Sequence, residues 1–250
     1  MNTYIRLLDD VQKLGILPTD VITIHSSMKK IGETEGGADT VLDVFCDYLG
    51  KDGLVSFPSH TWGDVVDGKY TYYPDTSRST LGLLPELFRK RKGVVRSLHP
   101  THSVCAYGKN AASFVETPLP QSSLCPRNGC YGKLYDWGGK VLLMGVTLAS
   151  CTFFHAIEEW EDGQTPPSFY QPWADCKIVL PTGEVVDNPV YLESGDSSLL
   201  FDKAMTAVLA EPSTKTGKIG NADCILLDCR KTYPIIAKLM KEQPDFFWKP

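Results

Sequence analysis

The stretch KVLLMGVTLASCTFFHAIEEW, Lys140 to Trp160, constrains the fold more than any other part of the chain. Val141, Leu142, Leu143 and Met144 form an apolar run closed by Gly145, the length and punctuation of a strand covered on both faces. A link of small residues from Thr147 to Ser150 follows. Phe154, Ile157 and Trp160 then recur at a spacing of three, one face of a helix. Thr152 is expected to cap that helix, its hydroxyl accepting from the first free amides. His155 falls in the first turn, and Glu158 and Glu159, three and four residues on, put a carboxylate beside the imidazole. An oriented imidazole just past a strand's carboxyl end suits general-base work in an α/β sheet. A lone histidine at a helix start is more often a cap or a surface residue than a base, so the rest of the chain must decide.

The same alternation runs through the first part of the chain. Tyr4 to Leu14 has an amphipathic helical pattern. Val21 to Ile24 is a β-branched strand ending at His25-Ser26-Ser27, and glycines then lead into a helix expected to be capped near Asp39. Gly53 to Phe57 is a second strand, ending in Pro58-Ser59-His60-Thr61-Trp62. Gly63 to Ser79 reads as a long surface loop and Leu83 to Lys92 as a helix. Val104 to Tyr107 is a short strand, and Gln121 to Tyr135 a loop. Beyond Trp160 the pattern changes. Cys176–Leu180 and Glu184–Val186 read as a hairpin, Ser198–Leu209 as a helix, Lys218–Leu227 as a strand region and Thr232–Glu242 as a closing helix. The expected fold is α/β, a three-layer αβα arrangement around a largely parallel sheet with an additional C-terminal α+β portion, all within one domain spanning 1–250.

Composition narrows the function classes. A net charge of −5 argues against a nucleic-acid surface and mildly favours small cationic partners. No charged-apolar-small leader is read at the start and no apolar run reaches ~18 residues, so a cytoplasmic location is expected. The eight cysteines include no CxxC pair and read as reduced core thiols. Cys151 stands apart because it lies four residues before His155.

The histidines carry the strongest signal. There are five, at 25, 60, 99, 102 and 155, each at or just past the end of a strand-like run. In a doubly wound sheet those ends share one edge, where ligands bind. The segment RSLHPTHS gathers Arg96, Ser97, His99, His102 and Ser103 around Pro100. An H-x-x-H pair such as His99 and His102 can chelate a metal, but no acidic or cysteine ligand lies at a matching local spacing. In HSSMKKIG, small residues between a strand and a helix start are suited to phosphate, and an ordinary serine-rich turn fits as well.

Taken together, HSSMKKIG, FPSHTW, LPELFR, VVRSLHPTHSVCAYG, KLYDWGGKVLLMGV, TFFHAIEE and GKIGNADC resemble the aminoglycoside 3-N-acetyltransferase family, the antibiotic N-acetyltransferases, in that family's order and over nearly the whole chain. The resemblance implies acetyl-coenzyme A as co-substrate, no metal, and a primary amine as acceptor, an aminoglycoside 3-amino group. It implies that His25, Ser26, Ser27, Met28, Gly32, Thr61, Arg96, Ser97, His99 and Ser103 cradle the pantetheine and phosphates. His155 matches the family's catalytic residue, with Glu158 beside it and Thr152 near the acyl carbonyl. Glu193 is the nearest match to a later acidic residue that orients the base. Relatives often dimerise, and residues 163–250 are expected to shape the acceptor pocket. His102 departs from the family, standing where many relatives carry a small residue. Transfer to a non-antibiotic amine or amino sugar, a ping-pong route through Cys151, a metal-dependent hydrolase built on His60, His99, His102 and His155, and a coenzyme A-binding protein without catalysis remain the alternatives.

Overall fold

The structure, a computed structural model, describes residues 1–161, 170–193 and 197–248, except for the side chains at 170–173 and 192–193. Its centre is a seven-stranded sheet of β1 (Val21–Ser26), β2 (Leu54–Pro58), β4 (Val95–Arg96), β5 (Val104–Gly108), β6 (Lys140–Met144), β9 (Lys215–Ile219) and β10 (Ala222–Asp228), in the order β4-β5-β2-β1-β6-β10-β9. A second sheet of three strands contains β3 (Lys69–Tyr72), β7 (Tyr170–Val179) and β8 (Val185–Glu193), in the order β3-β7-β8.

The apolar run in β6 reads out as alternation between two cores. Val141 and Leu143 join Phe153, Phe154, Ile157 and Ile236 on one face. Leu142 and Met144 join Leu7, Val11, Leu42 and Phe45 on the other. Helices therefore cover both faces of the sheet, with α1 (Tyr4–Lys13) and α3 (Ala38–Leu49) on one side and α7 (Thr152–Trp160) and α9 (Cys229–Glu242) on the other.

The sheet is mixed rather than largely parallel. β1 runs parallel to β2 and to β6, while β5 is antiparallel to both β2 and β4, and β10 is antiparallel to both β6 and β9. Chain connection explains the difference. β9 and β10 form a tight hairpin turning at Gly220 (φ +60°), so one of them must oppose β6. β5 follows an excursion through β3 and α4 (Leu83–Phe88) instead of a single helical crossover.

Local expectations shift for similarly concrete reasons. The stretch expected as a loop after Gly63 contains β3, which pairs in parallel with β7 and buries Tyr72 completely. The Gln121–Tyr135 loop gives way to α6 (Cys130–Asp136). Gly37, not Asp39, caps α3, and Asp39 lies in its first turn. The helix expected over Ser198–Leu209 begins as a 3-10 segment, Ser197–Ala204, before α8 (Met205–Leu209). No helix among the described residues is long and apolar enough to cross a membrane.

Gly145 ends β6 at φ +73°, and a Cβ there would meet the Lys30 Cβ at 2.5 Å. Only glycine lets the turn after β6 pass so close to the short helix α2 (Met28–Ile31). Leu143 is fully buried at the middle of the sheet. Leu143→Ala is expected to lower the unfolding free energy by about 2–5 kcal/mol, read from urea denaturation followed by circular dichroism.

Candidate active site

The carboxyl ends of β1, β2 and β6 open on one cavity of about 440 Å³. His25 and Ser26 reach it from the end of β1, His60 from the segment after β2, His102 from the segment before β5, and Thr152 and His155 from the first turn of α7. Ile24, Pro58, Leu124 and Val146 supply much of its apolar wall. Four of the five histidines line this cavity, and the fifth, His99, lies against His102 with ring centroids 5.7 Å apart.

His155 and Glu158 form the most defined pair. His155 Nδ1 lies 3.0 Å from Glu158 Oε2, one turn along α7. The Glu158 side chain is fully shielded, whereas the imidazole keeps 19% of its surface exposed. Ser197 Oγ donates to the same carboxylate oxygen at 3.0 Å. A carboxylate acceptor assigns the proton to Nδ1 and leaves Nε2 as the basic nitrogen of the ring. Phe201 packs beside the imidazole at a centroid distance of 4.8 Å and limits its rotation. Glu159, the other candidate neighbour, turns away: its Oε1 accepts from the Cys125 backbone N–H at 2.8 Å, and burial pushes its carboxyl up to about 7.

α7 starts one residue earlier than a Thr152 cap allows. Cys151 is the cap, without a side-chain bond, and Thr152 is already helical, which frees its side chain to line the cavity. The thiol of Cys151 is fully buried in the core rather than on that wall, and burial pushes it up to about 12.

The remaining sequence candidates whose side chains the structure describes lie off the cavity wall. Arg96 donates through Nε to Ser103 Oγ (3.0 Å), through its terminal nitrogens to the carbonyls of Pro74, Ser77 and Ser59, and stacks over Tyr72. Its guanidinium thus ties three loops together and is not aimed at open solvent. Ser103 Oγ donates to Ser59 O, and Ser97 Oγ accepts from Val104 N–H. Thr61 Oγ1 donates to Pro100 O. His99 donates through Nε2 to Ser123 O at 2.7 Å and accepts at Nδ1 from the backbone N–H groups of Thr101 and His102, and burial pushes it down to about 4. The Ser27 amide is spent on Met144 O at 2.9 Å, extending the β1–β6 ladder. Met28 packs on the second core, and Gly32 (φ +88°) ends α2 against the Asn221 side chain. Glu193 closes β8, but its side chain lies outside the described residues, as does most of the Gly163–Trp173 segment.

Sequence reasoning missed Ser197 and the role of Phe201. Neither carries a local signal, because their relation to α7 arises only from the return of the chain over its first turn. The proposed metal set also finds no geometry: among the described residues, no group of three or more His, Cys, Asp or Glu side chains could hold a metal ion.

A carboxylate-oriented imidazole on the wall of a cavity of about 440 Å³ gives this mixed α/β fold the constellation of an enzyme site. The chain belongs to the aminoglycoside 3-N-acetyltransferase family, whose model matches residues 23–241. It is 29% identical to aminoglycoside N(3)-acetyltransferase VII of Streptomyces paromomycinus over 96% of this chain and 92% of the relative. It is 28% identical to the SPbeta prophage-derived aminoglycoside N(3')-acetyltransferase-like protein YokD of Bacillus subtilis (strain 168), covering 90% of this chain and 87% of that one. Among solved structures, it is similar to AAC-IIIb in binary complex with CoASH, with a TM-score of 0.84, 25% identity, and coverage of 96% and 97% of the two chains.

In the folded protein at neutral pH, Cys151 is expected to resist iodoacetamide, as peptide mass mapping would show, because burial keeps the thiol protonated and out of reach. Alkylation of Cys151 before denaturation would contradict this geometry.

Proposed function

We propose that the chain is an acetyl-CoA-dependent N-acetyltransferase that moves an acetyl group directly from the thioester to the 3-amino group of an aminoglycoside, with His155 as general base. The observation that carries this reading is the His155 Nδ1···Glu158 Oε2 contact of 3.0 Å on the wall of the cavity. Family membership and the likeness to a coenzyme A complex support the co-substrate.

An aliphatic amine is mostly protonated at neutral pH and attacks a thioester only through its free lone pair. His155 Nε2 takes the proton as the carbon–nitrogen bond forms. Glu158 holds the ring in the matching tautomer and stabilises the imidazolium, in the manner of an acid-oriented histidine. Thr152, on the same wall, offers its hydroxyl to the developing oxyanion. Collapse of the tetrahedral intermediate breaks the carbon–sulfur bond, and the proton held on His155 passes to the departing sulfur, so that the thiol is released, the amide remains and the imidazole is neutral again.

Burial and mutual repulsion of the neighbouring imidazoles hold His60 and His102 well below the usual histidine range, and burial alone takes His25 down to about 3. The proton taken from the amine therefore goes to the more exposed ring, which has a carboxylate behind it. A route through Cys151 finds a buried, protonated thiol instead of an activated nucleophile.

This reading treats residues 1–250 as one cytoplasmic catalytic unit. The segment 163–250 completes the acceptor side, and the protein assembles as a homodimer. Thiol release from acetyl-CoA, measured against a panel of aminoglycosides, amino sugars and polyamines, tests the acceptor class. Turnover confined to amines without an aminoglycoside scaffold would replace the antibiotic substrate. His155→Ala is expected to lower kcat by about 10²- to 10⁴-fold. Glu158→Gln should also lower kcat while changing the KM for acetyl-CoA little, as steady-state kinetics would show. Cys151→Ala should retain the parent's turnover, with no acyl-enzyme visible by intact mass.

A further inference from the structure

Three buried polar atoms on the cavity wall have no hydrogen-bond partner among the described residues: His25 Nε2, Ser26 Oγ and His60 Nε2. His25 and His60 are only 7% and 4% exposed. A buried polar atom without a partner costs roughly 1–3 kcal/mol, so three on one wall form an arrangement that a bound ligand would complete.

The fold also holds the innermost ring in place. His60 packs on His102 with centroids 4.4 Å apart and planes inclined by 50°. His102 Nδ1 lies 3.0 Å from Thr101 Oγ1, and its backbone N–H donates to His99 Nδ1 at 2.9 Å. His99 in turn is fixed to Ser123 O at 2.7 Å. A chain of contacts from that carbonyl through two imidazoles thus sets the His60 ring. Neutral imidazole and hydroxyl groups each offer a donor and an acceptor, matched to amides and hydroxyls. The apolar wall between them, Ile24, Pro58 and Val146, suits the hydrocarbon that would link such groups.

We propose that His25, Ser26 and His60, with His60 set in place by His102, form a hydrogen-bonding subsite for uncharged amide or hydroxyl groups of a substrate held beside His155, and that His60 determines its selectivity. The proposal rests on the acyl-transfer reading above. The groups bound there come from one of two sources, the amides of the pantetheine arm of the acyl donor or the hydroxyls of the amine acceptor.

The test compares the full chain with its His60→Phe, His60→Leu and His60→Gln variants. The Kd for coenzyme A is measured by calorimetry, and the KM for the acceptor by thiol release. Loss of the ring's hydrogen bonds in His60→Phe or His60→Leu is expected to raise one of the two constants by about tenfold, with substantial recovery in His60→Gln. A change in the coenzyme A Kd assigns the subsite to the donor, and a change confined to the acceptor KM assigns it to the acceptor. His60→Leu gives the answer should the larger Phe prevent folding, as monitored by thermal melting. If the parent binds coenzyme A and the folded apolar variants match it in both constants, the subsite is overturned alone. A parent that neither binds coenzyme A nor releases thiol overturns the acyl-transfer reading, and this subsite with it.

Discussion

A carboxylate taken out of water must be met by donors inside the protein, or it destabilises the fold. Glu158, 1% exposed, is met at one oxygen by His155 Nδ1 and Ser197 Oγ, each at 3.0 Å. These contacts join α7 to the 3-10 segment beginning at Ser197, so a structural requirement and a chemical one are satisfied by the same atoms. The buried charge needs the imidazole proton. Once that proton is committed to Nδ1, the ring's basic nitrogen is Nε2. Phe201, carried on the same 3-10 segment, then closes off rotation of the ring. The His155 ring is oriented because the carboxylate behind it has been desolvated.

How much of this could be read from the residues depended on whether the information was local. β6 and α7 were legible because an apolar run closed by glycine, followed by a three-residue periodicity, has few other solutions. The convergence of four histidines on one cavity was legible too, since each of the five sits at or just past the end of a strand-like run. Strand direction was not: β10 lies antiparallel to β6 because of where a hairpin returns, which no periodicity records. β3 was hidden because Lys69-Tyr70-Thr71-Tyr72 alternates weakly and finds its partner about a hundred residues away in β7. Thr152 looked like a cap by residue type, but the helix begins at Thr152 itself.

The segment around Pro100 shows a subtler failure. Arg96, Ser97, His99 and Ser103 have the chemistry of ligand-binding groups, yet each is occupied by backbone carbonyls, amides or one another. Polar residues concentrated near a site serve two purposes, facing the substrate and holding the loops that do. Composition and spacing cannot separate the two, because the partners that occupy the second group come from distant turns such as Pro74, Ser77 and Ser123.

The register that pairs Cys224 with Met144 and Asp228 with Lys140 has a consequence for biosynthesis. During translation, β6 can dock against β1 as soon as it emerges, but its other edge has no neighbour until β10 has been made. For that interval the nascent chain presents an apolar strand with an open flank, a template to which other chains can add. The strand that delivers the chain into α7 is thus sealed on its second edge only by a segment the ribosome produces much later.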